Sequence, residues 1–184
     1  MNNGIQIIYP RSRYEKLNQT VFEFIQNTVL EFMYLAKEPI QEKIVYTLDI
    51  SHDEYQYDNY LSYVFYISSY TGGAHSKHDI YSIVYNVSNN KIVSLKNLIE
   101  KEENILNILS NQSRVILENN AKITNKDMLL MGTKPEIDNF KVFAFGPAGM
   151  IFYFPEYQVA PYSSGAFKIV IPYSIIFNKE KDSN

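Results

Sequence analysis

Two adjacent glycines and a histidine lie in the stretch of this chain that is best suited to recognition chemistry. The string Tyr70-Thr71-Gly72-Gly73-Ala74-His75 follows an alternating run that begins at Leu61, and a second alternating run continues to Val87. Adjacent glycines allow positive φ and a close approach of backbones, so the string predicts a shaped loop between two strands. This loop would display a tyrosine, a threonine and a histidine.

A metal site is the first chemistry to consider, since His75, His78 and Asp79 are close together in the sequence. A zinc-like site needs two or three ligands that converge on one ion. If residues 76–79 are extended, His75 and His78 differ by an odd number and face opposite sides of the strand. We therefore expect no metal at this loop, and we expect no cofactor.

A hydrolase is an alternative reading of the same residues. Asp79 or Glu156, paired with His75, would supply acid and base groups if a concave pocket brought them within hydrogen-bond reach. No Gly-x-Ser-x-Gly elbow occurs, and Ser163-Ser164-Gly165 lies in a predicted loop. Acidic residues such as these are usually solvated surface groups and not catalytic ones. With no other catalytic motif in the sequence, we expect that the chain is not an enzyme.

The segment from Pro155 to Tyr162 is the second candidate for binding. Pro155 and Pro161 hold it extended and reduce the entropy that is lost when a partner binds. Tyr157 and Tyr162 offer flat amphipathic rings. The alternative is a rigid crossover that only joins two strands.

The composition indicates a globular, aromatic-rich chain and excludes several function classes. Its 184 residues include 16 Tyr and 11 Phe, which is typical of β-rich domains. A net charge of −3, from 17 basic and 20 acidic residues, argues against nucleic-acid binding. The lack of cysteine excludes disulfides, thiolate zinc sites and cysteine nucleophiles. No run reaches the roughly 20 apolar residues of a membrane span, and the first residues do not resemble a signal peptide.

Hydrophobic periodicity predicts the helices that position these segments. Apolar residues three or four apart predict an amphipathic helix over 13–37, opened by a capping box of Ser12 and Glu15 and ended by Pro39. Ser94 is the expected N-cap of a short helix that runs through Leu98. The other expected helical segments are a longer helix at 102–119, a helical turn at 126–131 and a short helix or turn at 172–176.

Alternation with a period of two predicts strands, and we expect those between residues 44 and 93 to form an antiparallel meander. Residues 5–9, closed by Pro10, suit an edge strand. The polar segment Ser51–Asn59 predicts a turn. The further expected strands are 44–50, 61–67, 80–87, 92–93, 140–145, 150–154 and 167–171. The predicted fold class is α+β, with an antiparallel β-sheet packed against two main α-helices.

Several strings of the chain resemble a known family. They look like the RsiV-type extracytoplasmic domain, whose biochemical function is unknown and which also occurs in PdaC-type peptidoglycan deacetylases, outside their catalytic domain. Ile7–Pro10 before a long helix is similar to the smaller module that usually precedes this domain. The strings that carry the resemblance are Tyr70–His75, Ser94–Leu98, Phe152–Tyr157, Ala160–Tyr162 and Ile171–Tyr173.

The resemblance implies a helix-and-strand module at 1–60 and an RsiV-type α+β domain at 61–178. From the length of the chain we expect the two modules to pack as one unit, and we expect the charged tail at 179–184 to be frayed. It also implies a location outside the cytoplasmic membrane of a Gram-positive-type bacterium. In RsiV, an anti-sigma factor, the outer domain senses lysozyme by binding it, and proteolysis then frees the sigma factor. The sequence contains no deacetylase domain, so that activity is not carried over.

We therefore expect a non-enzymatic sensor or binding domain of the cell envelope, whose partner is a protein such as lysozyme. The alternative is a peptidoglycan- or glycan-binding module accessory to a cell-wall enzyme, in which exposed tyrosines stack on sugar rings. The expected binding residues are Tyr70, Thr71, Gly72, Gly73, His75, Pro155, Tyr157, Pro161 and Tyr162.

Overall fold

The structure is a computed structural model that describes residues 4–36, 45–100 and 104–177. The expected tail at 179–184 lies outside these ranges. The strands are β1 (Gly4–Ile7), β2 (Thr47–Tyr57), β3 (Tyr60–Tyr70), β4 (Lys77–Asn86), β5 (Lys91–Val93), β6 (Phe143–Gly146), β7 (Gly149–Phe154) and β8 (Phe167–Ile171). The helices are α1 (Glu15–Leu35), α2 (Leu95–Ile99), α3 (Ile105–Glu118), α4 (Lys126–Gly132) and α5 (Tyr173–Ile176).

Helix α1 confirms the predicted amphipathic helix, but it does not begin with the predicted capping box. Its N-cap is Tyr14, which makes no side-chain cap hydrogen bond. The hydroxyl of Ser12 instead donates to Asn18 Oδ1 at 3.1 Å, because Ser12 lies too far ahead of the first turn to cap it. The buried stripe of the helix consists of Leu17, Val21, Ile25 and Phe32.

Within the described ranges, β1 to β5 form a five-stranded sheet in chain order. Strands β2, β3, β4 and β5 pair antiparallel as expected, whereas β1 pairs parallel to β2. The antiparallel meander predicted for residues 44–93 is therefore confirmed, and the edge strand β1 adds a parallel pair to it. This pair is parallel because α1 lies between β1 and β2 and carries the chain back to the same end of the sheet, as in other crossovers between parallel strands.

The segment Ser51–Asn59 is not the turn that its polarity predicts. Strand β2 continues through it to Tyr57, and the chain turns only at Asp58 and Asn59. Every residue of β2 pairs with β3, for example Asp53 with Val64. A polar strand is stable here because backbone pairing with a long neighbour does not require apolar side chains on a solvated face. The expected boundary between the two modules, at residue 60, follows this turn directly.

The remaining strands, β6 to β8, form a second, three-stranded sheet that packs on the large one. One face of the large sheet buries Tyr63 and Phe65 against α1, and the other face meets the small sheet around Val64 and Ala144. The opposite face of the small sheet packs against the other helices, including α3. The α+β prediction with two main helices, α1 and α3, is confirmed, but the described strands divide between two sheets.

Hydrogen bonds, in addition to apolar contacts, join the two sheets. Strand β6 is an edge strand, and two of its N–H groups donate to hydroxyls of the large sheet. The N–H of Phe143 donates to Ser82 Oγ at 3.0 Å, and the N–H of Phe145 donates to Ser62 Oγ at 3.1 Å. These bonds fix the small sheet, and the segment that follows it, relative to β3 and β4.

The shorter elements lie close to where periodicity predicts them. Ser94 is the N-cap of α2 and accepts a hydrogen bond from the Asn97 N–H, as expected. The longer helix begins at Ile105 in the described part of the chain, and the start predicted at 102 lies outside it. In the described ranges, no helix combines the length and the apolar character that crossing a membrane requires.

Candidate functional site

The glycine-containing loop joins β3 to β4, as its composition predicts. Gly72 takes a φ of +92°, which favours glycine and lets the chain turn. Tyr70, Thr71 and Gly72 are half-buried, whereas Gly73 and His75 are exposed. The loop therefore presents His75 to solvent more fully than it presents Tyr70 or Thr71.

The proline-flanked segment that follows β7 is held in place by backbone and side-chain hydrogen bonds. The Gln158 N–H donates to the Pro155 C=O at 3.1 Å and closes a turn. The Gln158 side chain donates to the C=O of Gly132 at 2.9 Å and to that of Asn139 at 2.8 Å. Tyr157, at this turn, has a φ of +67°, which an aromatic residue rarely adopts, and is 60% exposed. The turn is therefore fixed while its tyrosine faces solvent.

The structure brings the two segments together at their aromatic residues. The His75 and Tyr162 rings stack with centroids 4.2 Å apart and planes at 28°, and the Tyr157 and Tyr162 rings lie 5.5 Å apart. The Tyr162 hydroxyl also donates to the Ser76 C=O at 3.2 Å. Pro161, which is half-buried, directly precedes Tyr162. We call His75, Tyr157 and Tyr162 the aromatic platform.

A histidine and a glutamate lie beside the aromatic platform. His78 Nδ1 is 3.0 Å from Glu156 Oε1, and the two side chains are 43% and 14% exposed. The His78 ring is nearly parallel to that of Tyr162, with centroids 6.3 Å apart. Partial burial, followed by the charge of Glu156, raises the pKa of Tyr162. The condition under which His75 and His78 were expected to face opposite sides is not met, because the strand begins only at Lys77, and both rings lie near Tyr162.

A cleft of about 270 Å³ opens next to this pair, between the large sheet and the segment after β7. Its floor comes from neighbouring positions of β2 and β3, where Asp49 is opposite Ser68 and Ser51 is opposite Tyr66. Asp49 and Tyr66 lie in the predicted strands 44–50 and 61–67, but the turn predicted from Ser51 onwards hides the register that places them side by side. The residues that line the cleft include Asp49, Ser51, Tyr66, Ser68, Ile80, His78 and Glu156. We call it the platform cleft.

A network of tyrosines fixes one wall of the platform cleft. The Tyr66 hydroxyl donates to Asp53 Oδ2 at 2.8 Å, and the Tyr55 hydroxyl lies 3.1 Å from the same oxygen. Tyr55 also hydrogen-bonds to Tyr153 at 2.9 Å and accepts from Lys168 Nζ at 2.7 Å. Burial is the main cause that raises the pKa of Tyr66, to about 12, and that of Tyr153. Both phenols are therefore neutral at ordinary pH, and the Tyr66 ring is held in one orientation.

The pairing that the hydrolase alternative requires is not formed among the described residues. Asp79 Oδ2 lies 2.7 Å from Lys77 Nζ, and this hydrogen bond raises the pKa of Lys77. Glu156 is paired with His78 and not with His75. Among residues 4–36, 45–100 and 104–177, no three His, Asp or Glu side chains gather as a metal site. The chemistry that the arrangement offers is ring stacking and hydrogen bonding.

Comparison with known proteins finds a family that matches part of the chain and solved structures with a similar fold. Residues 96–174 match the DUF3298 family, described as a protein of unknown function. This range begins after the glycine-containing loop and includes the segment that carries Tyr157 and Tyr162. Two solved structures of DUF3298 proteins are similar in fold. One is from Bacteroides fragilis, with a TM-score of 0.58, 24% identity, and coverage of 87% of this chain and 68% of that one. The other is from Pseudomonas aeruginosa, with a TM-score of 0.71, 16% identity, and coverage of 94% of this chain and 83% of that one.

A curated relative is similar over nearly the whole chain. The chain is 28% identical over 173 residues to the peptidoglycan-N-acetylmuramic acid deacetylase PdaC of Bacillus subtilis strain 168. The match covers 91% of this chain but only 37% of PdaC. The PdaC part of the predicted resemblance is thus supported, whereas the RsiV part stays a prediction. The chain is similar to DUF3298 proteins in its fold and to one part of PdaC in its sequence.

Proposed function

We propose that this chain is a non-enzymatic binding module that acts outside the cytoplasmic membrane, at the cell envelope. The observation that carries the proposal is the aromatic platform. Two segments that are 86 positions apart meet there through Tyr162, which contacts His75 by stacking and Ser76 by a hydrogen bond. Rigid, exposed aromatic rings are the residues that bind partners with the least loss of conformational entropy.

The electrostatic pairing around the platform favours binding over catalysis. Asp79 is neutralised by Lys77, and Glu156 is hydrogen-bonded to His78. The strained backbone of Tyr157 supports the same conclusion, since such strain is retained where the surrounding structure enforces it and is concentrated at functional sites. Here the enforced conformation exposes a ring and not a nucleophile.

The partner that the geometry supports best is the glycan of peptidoglycan. Sugar rings stack on aromatic side chains, and the platform cleft offers carboxylates and hydroxyls beside the rings to receive sugar hydroxyl groups. The similarity to PdaC, a peptidoglycan deacetylase by name, supports a role near the same polymer. Because the chain spans only 37% of PdaC, the deacetylase activity itself is not part of the proposal.

Co-sedimentation with purified peptidoglycan tests this function. We expect the chain to pellet with the polymer and the Tyr157→Ala variant to remain largely in the supernatant. Tyr9→Ala is the matched control, since Tyr9 is 50% exposed and lies outside the site, and it should pellet like the unmodified chain. Recovery of the unmodified chain in the supernatant, or equal pelleting of Tyr157→Ala, would contradict the proposal.

A protein such as lysozyme is the second candidate partner, and it corresponds to the sensor role that the RsiV resemblance implies. The exposure and fixed backbone of Tyr157 favour it, because a stiff aromatic anchor suits a flat protein surface as well as a sugar. Calorimetric titration with lysozyme, together with an assay of its lytic activity, tests this candidate. Heat of binding that Tyr157→Ala abolishes would support it, whereas absence of both heat and inhibition would exclude it.

A further inference from the structure

Three polar side chains in the platform cleft have no partner among the described residues. The carboxylate of Asp49 and the hydroxyls of Ser51 and Ser68 line the cleft, and no described residue hydrogen-bonds to them. They come from adjacent strands, with Asp49 directly opposite Ser68 in the register. Asp49 and Ser51 are exposed and Ser68 is half-buried, so their polar groups are free to bond to a ligand in a cleft that also has an apolar wall, as in many small-molecule sites.

The size of the platform cleft limits what it can hold. At about 270 Å³ it is just below the range of about 300–1,000 Å³ that takes drug-sized ligands. It therefore suits one monosaccharide ring of a longer glycan, with the neighbouring rings outside the cleft. Tyr66 and Ile80 provide the apolar wall for the C–H face of such a ring, and the hydrogen bond from Tyr66 to Asp53 keeps that wall in place.

The charges in the platform cleft determine whether a positively or a negatively charged ligand is favoured. Asp49 and Glu156 contribute carboxylates, and no lysine or arginine is among the lining residues. The acidic Asp79 is balanced by Lys77, and His78 is hydrogen-bonded to Glu156, but Asp49 has no such cation among the described residues. An anionic group would be repelled here, and a group with several donors and a positive charge would be favoured.

We propose that the platform cleft binds a hexosamine ring that carries a free amino group, so that the module prefers de-N-acetylated glycan to N-acetylated glycan. The inference rests on the proposed glycan-binding function and specifies its ligand. An ammonium group supplies three donors to Asp49 and its neighbours, and such charge-assisted hydrogen bonds are roughly twice as strong as neutral ones. Acetylation removes the charge and leaves one donor. Amide hydrolysis of N-acetylated glycan, which releases acetate, is the class of reaction that produces this ligand.

Calorimetric titration of the whole chain with two defined sugars tests the inference. The probes are the tetramer of glucosamine and the tetramer of N-acetylglucosamine, at about pH 6.5, where an ordinary amine is charged. We expect the glucosamine tetramer to bind at least about tenfold more tightly. Asp49→Asn keeps the shape of the side chain but removes its charge, so it should abolish this preference, chiefly by weakening the binding of the glucosamine tetramer.

Glu118→Gln is the matched control, because it removes one negative charge at an exposed position at the end of α3. It should keep the preference, which separates binding in the cleft from general attraction between a cation and an acidic chain. If Asp49→Asn does not fold, Glu156→Gln makes the same comparison from the other side of the cleft. Equal or tighter binding of the acetylated tetramer, or a preference that survives Asp49→Asn, would overturn the inference while glycan binding stands. Failure of both tetramers to bind would overturn the inference and the glycan form of the proposed function together.

Discussion

Gly132 lies outside the aromatic platform, yet a methyl group there should disturb it. A Cβ built on Gly132 would lie 2.0 Å from the carbonyl oxygen of Gln158 and 3.0 Å from Val159 Cγ1. The first contact is with backbone, which cannot rotate away as a side chain would, so the turn that carries Tyr157 must move. The hydrogen bond from the Gln158 side chain to the Gly132 C=O should be lost or stretched by the same movement.

The cost of Gly132→Ala can be estimated from these contacts. Overpacking a close-packed site costs about 1–3 kcal/mol, and the loss of one hydrogen bond adds about 1 kcal/mol. For a chain of 184 residues each kcal/mol lowers the Tm by about 2–4 °C, so we expect a decrease on the order of 10 °C. Binding to peptidoglycan should weaken in parallel, because the Tyr157 ring no longer occupies its place beside Tyr162.

Thermal unfolding followed by circular dichroism, with co-sedimentation on the same samples, measures both effects. Gly73→Ala is the matched control, since its added Cβ would approach no closer than 3.7 Å to the His75 carbonyl oxygen. This variant should unfold at the same temperature as the unmodified chain. A Gly132→Ala variant that keeps both its Tm and its affinity for peptidoglycan would refute the idea that close packing against Gly132 fixes the turn that carries Tyr157.

The remaining predictions concern the contacts between segments and sheets. Tyr162→Phe removes one hydrogen bond and should lower the free energy of unfolding by about 1 kcal/mol. Tyr162→Leu also removes the stacking and should lower it by about 1–3 kcal/mol. Equal free energies for the two variants in urea titrations would argue against the stacking. Ser62→Ala leaves the buried Phe145 N–H without its acceptor and should cost about 1–3 kcal/mol, so an unchanged urea midpoint would contradict the inter-sheet bond. Burial raises the pKa of Tyr66 from 10.0 to about 12, so its contribution to stability is complete below pH 10 and is lost as the pH rises towards 12. Stability measured over that interval should fall more steeply in the unmodified chain than in Tyr66→Phe, and parallel curves would disprove the assignment.

Most single elements of this fold can be predicted from local sequence. The stripe of α1 and the alternation of β3 depend on side chains that face one core, so their periods are visible in the chain itself. Ser94 likewise caps α2 through a residue only three positions away, which is a local signal. The parallel pairing of β1 and the division of the strands between two sheets depend on contacts between distant segments, which periodicity does not encode.

The candidate site divides in the same way. Loop composition alone identifies His75, Tyr157 and Tyr162 as candidates, because glycine and proline mark shaped backbone. The pair of His78 and Glu156 is not visible in the sequence, since the two residues are 78 positions apart and meet only when the sheets pack. The register that builds the floor of the platform cleft is hidden for another reason: the second half of β2 has polar residues on both faces, so its pattern predicts a turn.

Chemical-shift mapping tests the central claim, that the aromatic platform is the binding surface, more directly than any other measurement. The isotope-labelled chain is titrated with peptidoglycan fragments, and the backbone amide shifts are followed residue by residue. We expect the largest changes at Gly73, His75, Tyr157 and Tyr162. Changes confined to the exposed side of α1, for example at Phe22 and Leu30, with these four amides unmoved, would contradict this claim.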